Sequence, residues 1–141
     1  MTNLQLSLIG KWFEMTKALI KKEDYREITP YWISRLFNIS FYDSQEKLKN
    51  EYRIFKARDE SWDKNCFAES FKSRLNYSVY KDQHFKKFTT NTMTLGYPKS
   101  GDTERIIKFE HAGIEIREGN PDWGAEPGKL YFVIKHGNLI K

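Results

Sequence analysis

Leu4, Leu6 and Leu8 alternate with Gln5 and Ser7, the period of two that marks a half-buried strand. Over residues 11–20 the period changes. Trp12, Met15 and Leu19 recur at helical spacing with Lys11, Glu14 and Lys17 between them, which predicts an amphipathic helix of about three turns. Residues 21–28 read as a polar strand, and Pro30 opens a second helix carrying Tyr31, Trp32, Ile33, Leu36 and Phe37. Residues 38–86 have no clean period, with short helices predicted over 45–52 and 67–75. Residues 88–97 are rich in β-formers, with Thr90, Thr92 and Thr94 facing opposite to Met93 and Leu95. Residues 104–109, 114–117 and 130–135 complete the strands.

Seven of the eight glycines lie at or beyond Gly96, and three of the four prolines share that region, so the C-terminal third reads as short strands joined by turns. The turn signals are strongest at residues 120–124 and 126–129. The expected fold is α+β: one domain over residues 1–141, a small mixed β-barrel of about six strands with flanking helices and a central insertion at 38–86. No apolar run approaches the ~20 residues of a membrane-spanning helix. Residues 1–10 lack the cationic lead of a signal peptide. The lone Cys66 permits no internal disulfide and no thiolate cluster, so the cytoplasm is the expected compartment.

Charge sharpens this picture. The net charge is +5, from 24 basic and 19 acidic residues, and 16% of the chain is aromatic. That balance favours an anionic partner. The densest chemistry is Lys21-Lys22-Glu23-Asp24-Tyr25-Arg26-Glu27, where six of seven side chains are charged. On a strand, Lys22, Asp24 and Arg26 share one face while Lys21, Glu23, Tyr25 and Glu27 share the other. Two readings stand open: an exposed strand kept soluble by alternating charge, or a lysine and a carboxylate held in a cleft with an arginine that forks an oxyanion.

These residues resemble the ASCH domain family, whose signature is a helix followed by Gly-x-Lys-Thr-x-(Glu or Thr)-x-Arg. The likeness is to small bacterial and phage ASCH-type proteins. It rests on Asp24-Tyr25-Arg26-Glu27-Ile28-Thr29-Pro30-Tyr31-Trp32 and on Trp123-Gly124-Ala125-Glu126-Pro127-Gly128-Lys129-Leu130-Tyr131-Phe132-Val133-Ile134. It spans roughly residues 4–37 and 87–140. The resemblance implies a PUA-like β-barrel with a groove for RNA or a modified nucleoside. Relatives include RNA-binding proteins, a ribonuclease type and acetylcytidine amidohydrolases. By that likeness Lys21 matches the amidohydrolase lysine, while Asp24 stands where a threonine would be. The partner glutamate would be one of Glu104, Glu110, Glu115 and Glu118. Leu19 replaces the usual glycine and Lys22 the usual threonine.

His84, His111 and His136 are far apart without ligand spacing, so no metal and no cofactor are expected. Cys66 reads as a small packed residue, and Trp123-Gly124 as packing over a turn at the barrel end. Trp32 and Tyr31 read either as core or as a base-stacking platform. Basic residues gather in and after the insertion (Lys47, Lys49, Arg53, Lys56 and Arg58, then Lys72, Arg74, Lys81, Lys86 and Lys87), interleaved with acids. There Tyr52, Phe55 and Trp62 are candidates to stack bases while Arg53, Lys56 and Arg58 meet phosphates.

The expected function is therefore RNA or modified-nucleoside binding around Lys21–Arg26, with Lys22, Tyr25, Arg26, Trp32, Arg53, Lys56 and Arg58 as binding residues. The alternative is a nucleoside or RNA hydrolase with Lys21 as base or nucleophile and Asp24 relaying a proton. A third option is a protein acting on a host protein through the insertion. No membrane partner is expected, and the sequence leaves the oligomeric state open.

Overall fold

The alternating leucines turn into the core from strand β1 (Asn3–Leu8), and Asn3 and Gln5 stay outside. The computed structural model describes residues 2–38, 45–61, 65–77 and 85–140. Over these the chain continues with α1 (Gly10–Lys17), β2 (Glu23–Glu27), α2 (Pro30–Leu36), α3 (Gln45–Ser61), α4 (Cys66–Tyr77), β3 (Thr90–Leu95), β4 (Ile106–Glu118) and β5 (Leu130–Leu139). The strands form one curled half-barrel sheet in the order β1-β3-β4-β5-β2. Only β1 and β3 run parallel, as expected where helices connect them. The class is α+β.

Five strands stand where the sequence suggested about six, because residues 104–109 and 114–117 belong to the single strand β4. It stays paired with β5 through register shifts around His111, and Gly113 (φ +116°) supplies the backbone that a bulge needs. The bulge bends the strand without breaking it, so a turn signal became a curl.

In α1 the buried side chains are Phe13 and Thr16, where the sequence put the buried face on Trp12, Met15 and Leu19. The Thr16 hydroxyl is neutralised by donating to the Trp12 carbonyl (2.8 Å), which lets a polar residue enter the core. Leu19 lies past the helix end and is 51% exposed. In α2 the Thr29 side chain accepts from Trp32 N, Pro30 occupies the first turn, and Ile33 and Leu36 are buried.

Within the insertion the two predicted short helices are the longer α3 and α4. Leu48, Phe67, Phe71 and Leu75 join the same core as Leu4, Phe37 and Phe132. The Phe71 ring lies 5.2 Å from Phe37 and 5.9 Å from Phe132. Tyr52 packs edge-on against Phe67 at 5.0 Å, and Phe55 lies 6.4 Å from the same ring. Both rings thus face the core rather than a base, because burying a ring gains more than leaving it in water. Trp62 lies outside the described residues. Among the described residues no helix is long and apolar enough to cross a membrane.

At the barrel end, Gly124 (φ +99°) ends a short turn at Pro121–Trp123. A Cβ there would stand 2.9 Å from the Trp12 ring. The close packing expected of Trp123 is thus made by Trp12, and Trp123 is half-buried.

Candidate functional site

Helix α1 closes with the hydrogen bonds of a Schellman turn, Leu19 N to Thr16 O and Ile20 N to Met15 O, both 3.0 Å. Leu19 itself takes φ +62°, the left-handed conformation that glycine adopts at least cost. This turn delivers Lys21 to the inner side of the barrel before the regular pleat of β2 begins. The alternation expected to put Lys21 opposite Asp24 therefore fails, and the two meet.

Lys21 and Asp24 are 3% and 4% exposed. Lys21 Nζ donates to Glu23 O at 2.6 Å and to Asp24 Oδ1 at 3.3 Å. Arg26 Nε donates to Asp24 Oδ2 at 2.7 Å, and its Nη2 reaches across to Ser7 O on β1 at 2.8 Å. Burial drives the Lys21 ammonium below its ordinary value of 10.5, and Asp24 works against that shift. The carboxylate between two cations gives the buried Lys21 ammonium an opposite charge and holds the half-buried Arg26 beside it.

The later glutamates are engaged elsewhere: Glu104 with Lys17, Glu110 with Asn138, Glu115 with Arg117 and Lys135, and Glu118 with Gly128 N. A group that sequence reasoning set aside takes that place. Asn91, fully buried, donates to Lys135 O (3.1 Å) and to His136 Nδ1 (2.9 Å), while His111 Nδ1 lies 2.7 Å from its Oδ1. With the amide so oriented, His136 carries its proton on Nε2, a buried atom with no hydrogen-bond partner among the described residues. Burial is the main reason His136 is held down to about 4; the nearby Asp24 pulls the other way. His111 is lowered too, by burial and then by Lys135. No spacing rule joins Asn91, His111 and His136; only the pairing of β3, β4 and β5 does. His84 lies outside the described residues, and among those described no His/Cys/Asp/Glu group could hold a metal.

The outer face of β2 carries a second network. Arg117 forks Glu23 at 2.8 and 3.1 Å, and Tyr25 Oη donates to Glu23 at 2.6 Å and accepts from Asn120 N at 2.9 Å. Burial would raise Glu23, but these bonds from Arg117 and Tyr25 hold it below 4.5. Burial and the bond to Glu23 push the Tyr25 phenol upward. Tyr25 is thus committed to a structural bond. Lys22 is exposed, its carbonyl accepting from His136 N.

The half-barrel's two edge strands, β1 and β2, meet through a cationic seam. The Arg26 guanidinium lies 4.9 Å from the Trp32 ring centre, and Arg35 lies at the same distance. Arg35 Nη2 donates to Gln5 O at 3.2 Å, as Arg26 does to Ser7 O, so two guanidiniums cap the free edge of β1. Trp32 is thus the half-buried floor of this seam, while Tyr31, 61% exposed, stands edge-on to it at 5.3 Å.

Beside the seam lies a cleft of about 600 Å³ lined by Asn3, Tyr31, Arg35, Lys49, Lys86 and Phe88. Among the described residues no carboxylate lines it. Lys86 also borders an adjoining cleft of about 480 Å³ with Lys87, Phe85 and Asn38. Neither cleft is lined by Lys21, Asp24 or Arg26. Of the insertion residues expected to meet phosphate, Arg53 is exposed on α3 with its Nη2 on Asn50 (3.0 Å). Lys56 borders a different cleft with Glu27 and Lys129, and the side chain of Arg58 lies outside the described residues. Arg35 was missed because its meaning depends on the edge of β1, although its spacing of four from Tyr31 was visible. Comparison of the chain with protein-family models, with curated proteins and with solved structures found no match.

Proposed function

We propose that this chain is an ASCH-type, PUA-like domain that binds single-stranded RNA in the cleft formed by Tyr31, Arg35, Lys49 and Lys86. The observation that carries the reading is the composition of that cleft. Three cations and an exposed aromatic ring converge there with no carboxylate among the described residues that line it. Cations that meet no internal anion are placed to meet phosphates, and a ring on a rigid floor offers a base ~1–3 kcal/mol of stacking. The left-handed backbone of Leu19, at the position where the resembled signature has glycine, supports the family reading independently. In this reading the Lys21–Asp24–Arg26 cluster does not touch the strand. It holds the barrel seam that positions Trp32, Tyr31 and Arg35.

The test is fluorescence anisotropy with a labelled single-stranded RNA ten-mer at low salt. Arg35→Ala and Tyr31→Ala should each weaken binding roughly tenfold or more. Absence of binding at ~50 mM salt, or binding indifferent to both substitutions, sinks the reading. A modified nucleoside bound by the same residues would show as competition.

The runner-up is hydrolysis of an acylated nucleoside by Lys21, favoured by the downward shift that burial imposes on its ammonium. The ion pair with Asp24 and the 3% exposure stand against it. Deacylation of an N-acylcytidine that vanishes in Lys21→Ala would establish it.

A further inference from the structure

We propose a second ligand site on the opposite side of the sheet, for a small carboxylate carried on a flat apolar body. The alternation of threonines in β3 has no part in RNA binding. Register puts Gln5, Thr92 and Lys108 in one row across the outer face of β1, β3 and β4, with Asn3 and Thr90 in the next. The loop of residues 96–105 overhangs this face and encloses a cleft of about 750 Å³, a size usual for small-molecule sites. The loop is shaped in advance by Gly96 (φ +64°), Gly101 (φ +85°) and an ion pair from Lys17 to Glu104 at 3.5 Å.

In the row formed by Asn3, Gln5 and Lys108, unmet donors outnumber unmet acceptors. Thr90 and Thr92 both donate to Asn3 Oδ1, at 2.7 and 2.6 Å, which leaves the Asn3 amide N–H groups without a partner among the described residues. The Gln5 side-chain amide and the Lys108 ammonium have no partner among the described residues. The Gln5 carbonyl accepts, but the ammonium and the amide N–H groups outnumber it, so the ligand brings acceptors. Asp102 lines the same cleft, 3.9 Å from Arg105, and its carboxylate disfavours a dianion. One ammonium, two amides and a neighbouring acid fit a monoanionic carboxylate better than a phosphate. The rim is apolar and flat: Tyr97, 96% exposed with Pro98 beside it, faces the cleft together with Ile106 and Ile140.

The site does not depend on the RNA reading: Asn3 lines both clefts, but Gln5, Lys108 and Tyr97 line only this one. Naphthoate titrated into the full chain, followed by amide NMR, should shift Thr92, Thr94, Gly101 and Ile140 with a dissociation constant of about 1 mM or tighter. Lys108→Met and Tyr97→Ala should each weaken it roughly fivefold or more while leaving RNA affinity unchanged. Adenosine monophosphate should perturb these amides more weakly. If it perturbs them as strongly, with the same dependence on Lys108, the carboxylate assignment is overturned. No shift at roughly 10 mM, shifts confined to Arg35 and Lys86, or shifts indifferent to Lys108→Met overturn the site itself.

Discussion

Leu19 at φ +62° carries a backbone penalty that a glycine would not. Because its side chain is exposed, little packing is lost on removing it, so Leu19→Gly should stabilise the fold by about 0.5–1 kcal/mol in urea denaturation. A loss of stability would mean the leucine makes contacts in solution that outweigh the strain. Asp24 is the reverse case. Removing it as Asp24→Ala leaves Lys21 and Arg26 facing each other in the interior, at a cost of about 3–5 kcal/mol. Lys21→Met should cost less, since Asp24 keeps Arg26; equal losses would refute the central role of the carboxylate. His136 links stability to pH. Its folded value is about 4 against 6.5 unfolded, so between those values the unfolded chain binds the extra proton. Stability should therefore fall as pH drops from 6.5 to 4, by up to about 3 kcal/mol, and His136→Gln should flatten that slope. Glu23, held below 4.5, gives up its contribution as pH falls below that value, at the acid end of the His136 window.

At the scale of elements, the edges of the half-barrel decide what holds. β1 and β2 are neighbours across the seam but share no ladder; their link is side chain to carbonyl, Arg26 to Ser7, and Arg35 of α2 adds a second such bond to Gln5 on β1. Lysine in place of Arg26 reaches Asp24 or Ser7 but not both. Arg26→Lys should thus speed amide exchange in β1 and β2 before β3, β4 and β5, and uniform protection across the sheet would show the seam to be dispensable. The turn after Pro121–Trp123 is as demanding: at Gly124 alanine meets both a left-handed φ and the Trp12 ring. Gly124→Ala should cost about 1–3 kcal/mol by thermal or chemical denaturation.

For the whole molecule, the net charge of +5 matters less than where it lies. Several surface cations have an acid beside them, as Arg74 has Glu51 and Lys129 has Glu27. The cleft at Arg35, Lys49 and Lys86 does not. Three phosphate contacts there give a slope of about −2 in the logarithm of RNA affinity against the logarithm of salt. Arg53→Ala, on the exposed side of α3, should leave that slope unchanged. A slope several times steeper would mean that the whole basic surface binds.

The chain alone determined the elements whose signal is local. Leu4, Leu6 and Leu8 wrote β1, Thr29-Pro30 wrote the start of α2, and the compact charged run marked β2 as unusual. Periodicity needs only neighbours in sequence, so it survives without tertiary information. It misled where the decisive contact was distant: residues 104–109 and 114–117 looked like two strands until pairing with β5 carried β4 through Gly113. Tyr52 and Phe55 looked free until Phe67 received them. The site divides the same way. The concentration of charge at Lys21, Asp24 and Arg26 was legible, but their convergence required the Leu19 turn to override strand alternation. Asn91, His111 and His136 lie up to 45 residues apart and meet only because three strands align. The gathering of Tyr31, Arg35, Lys49 and Lys86 around one cleft came from tertiary structure alone, because a surface exists only after folding.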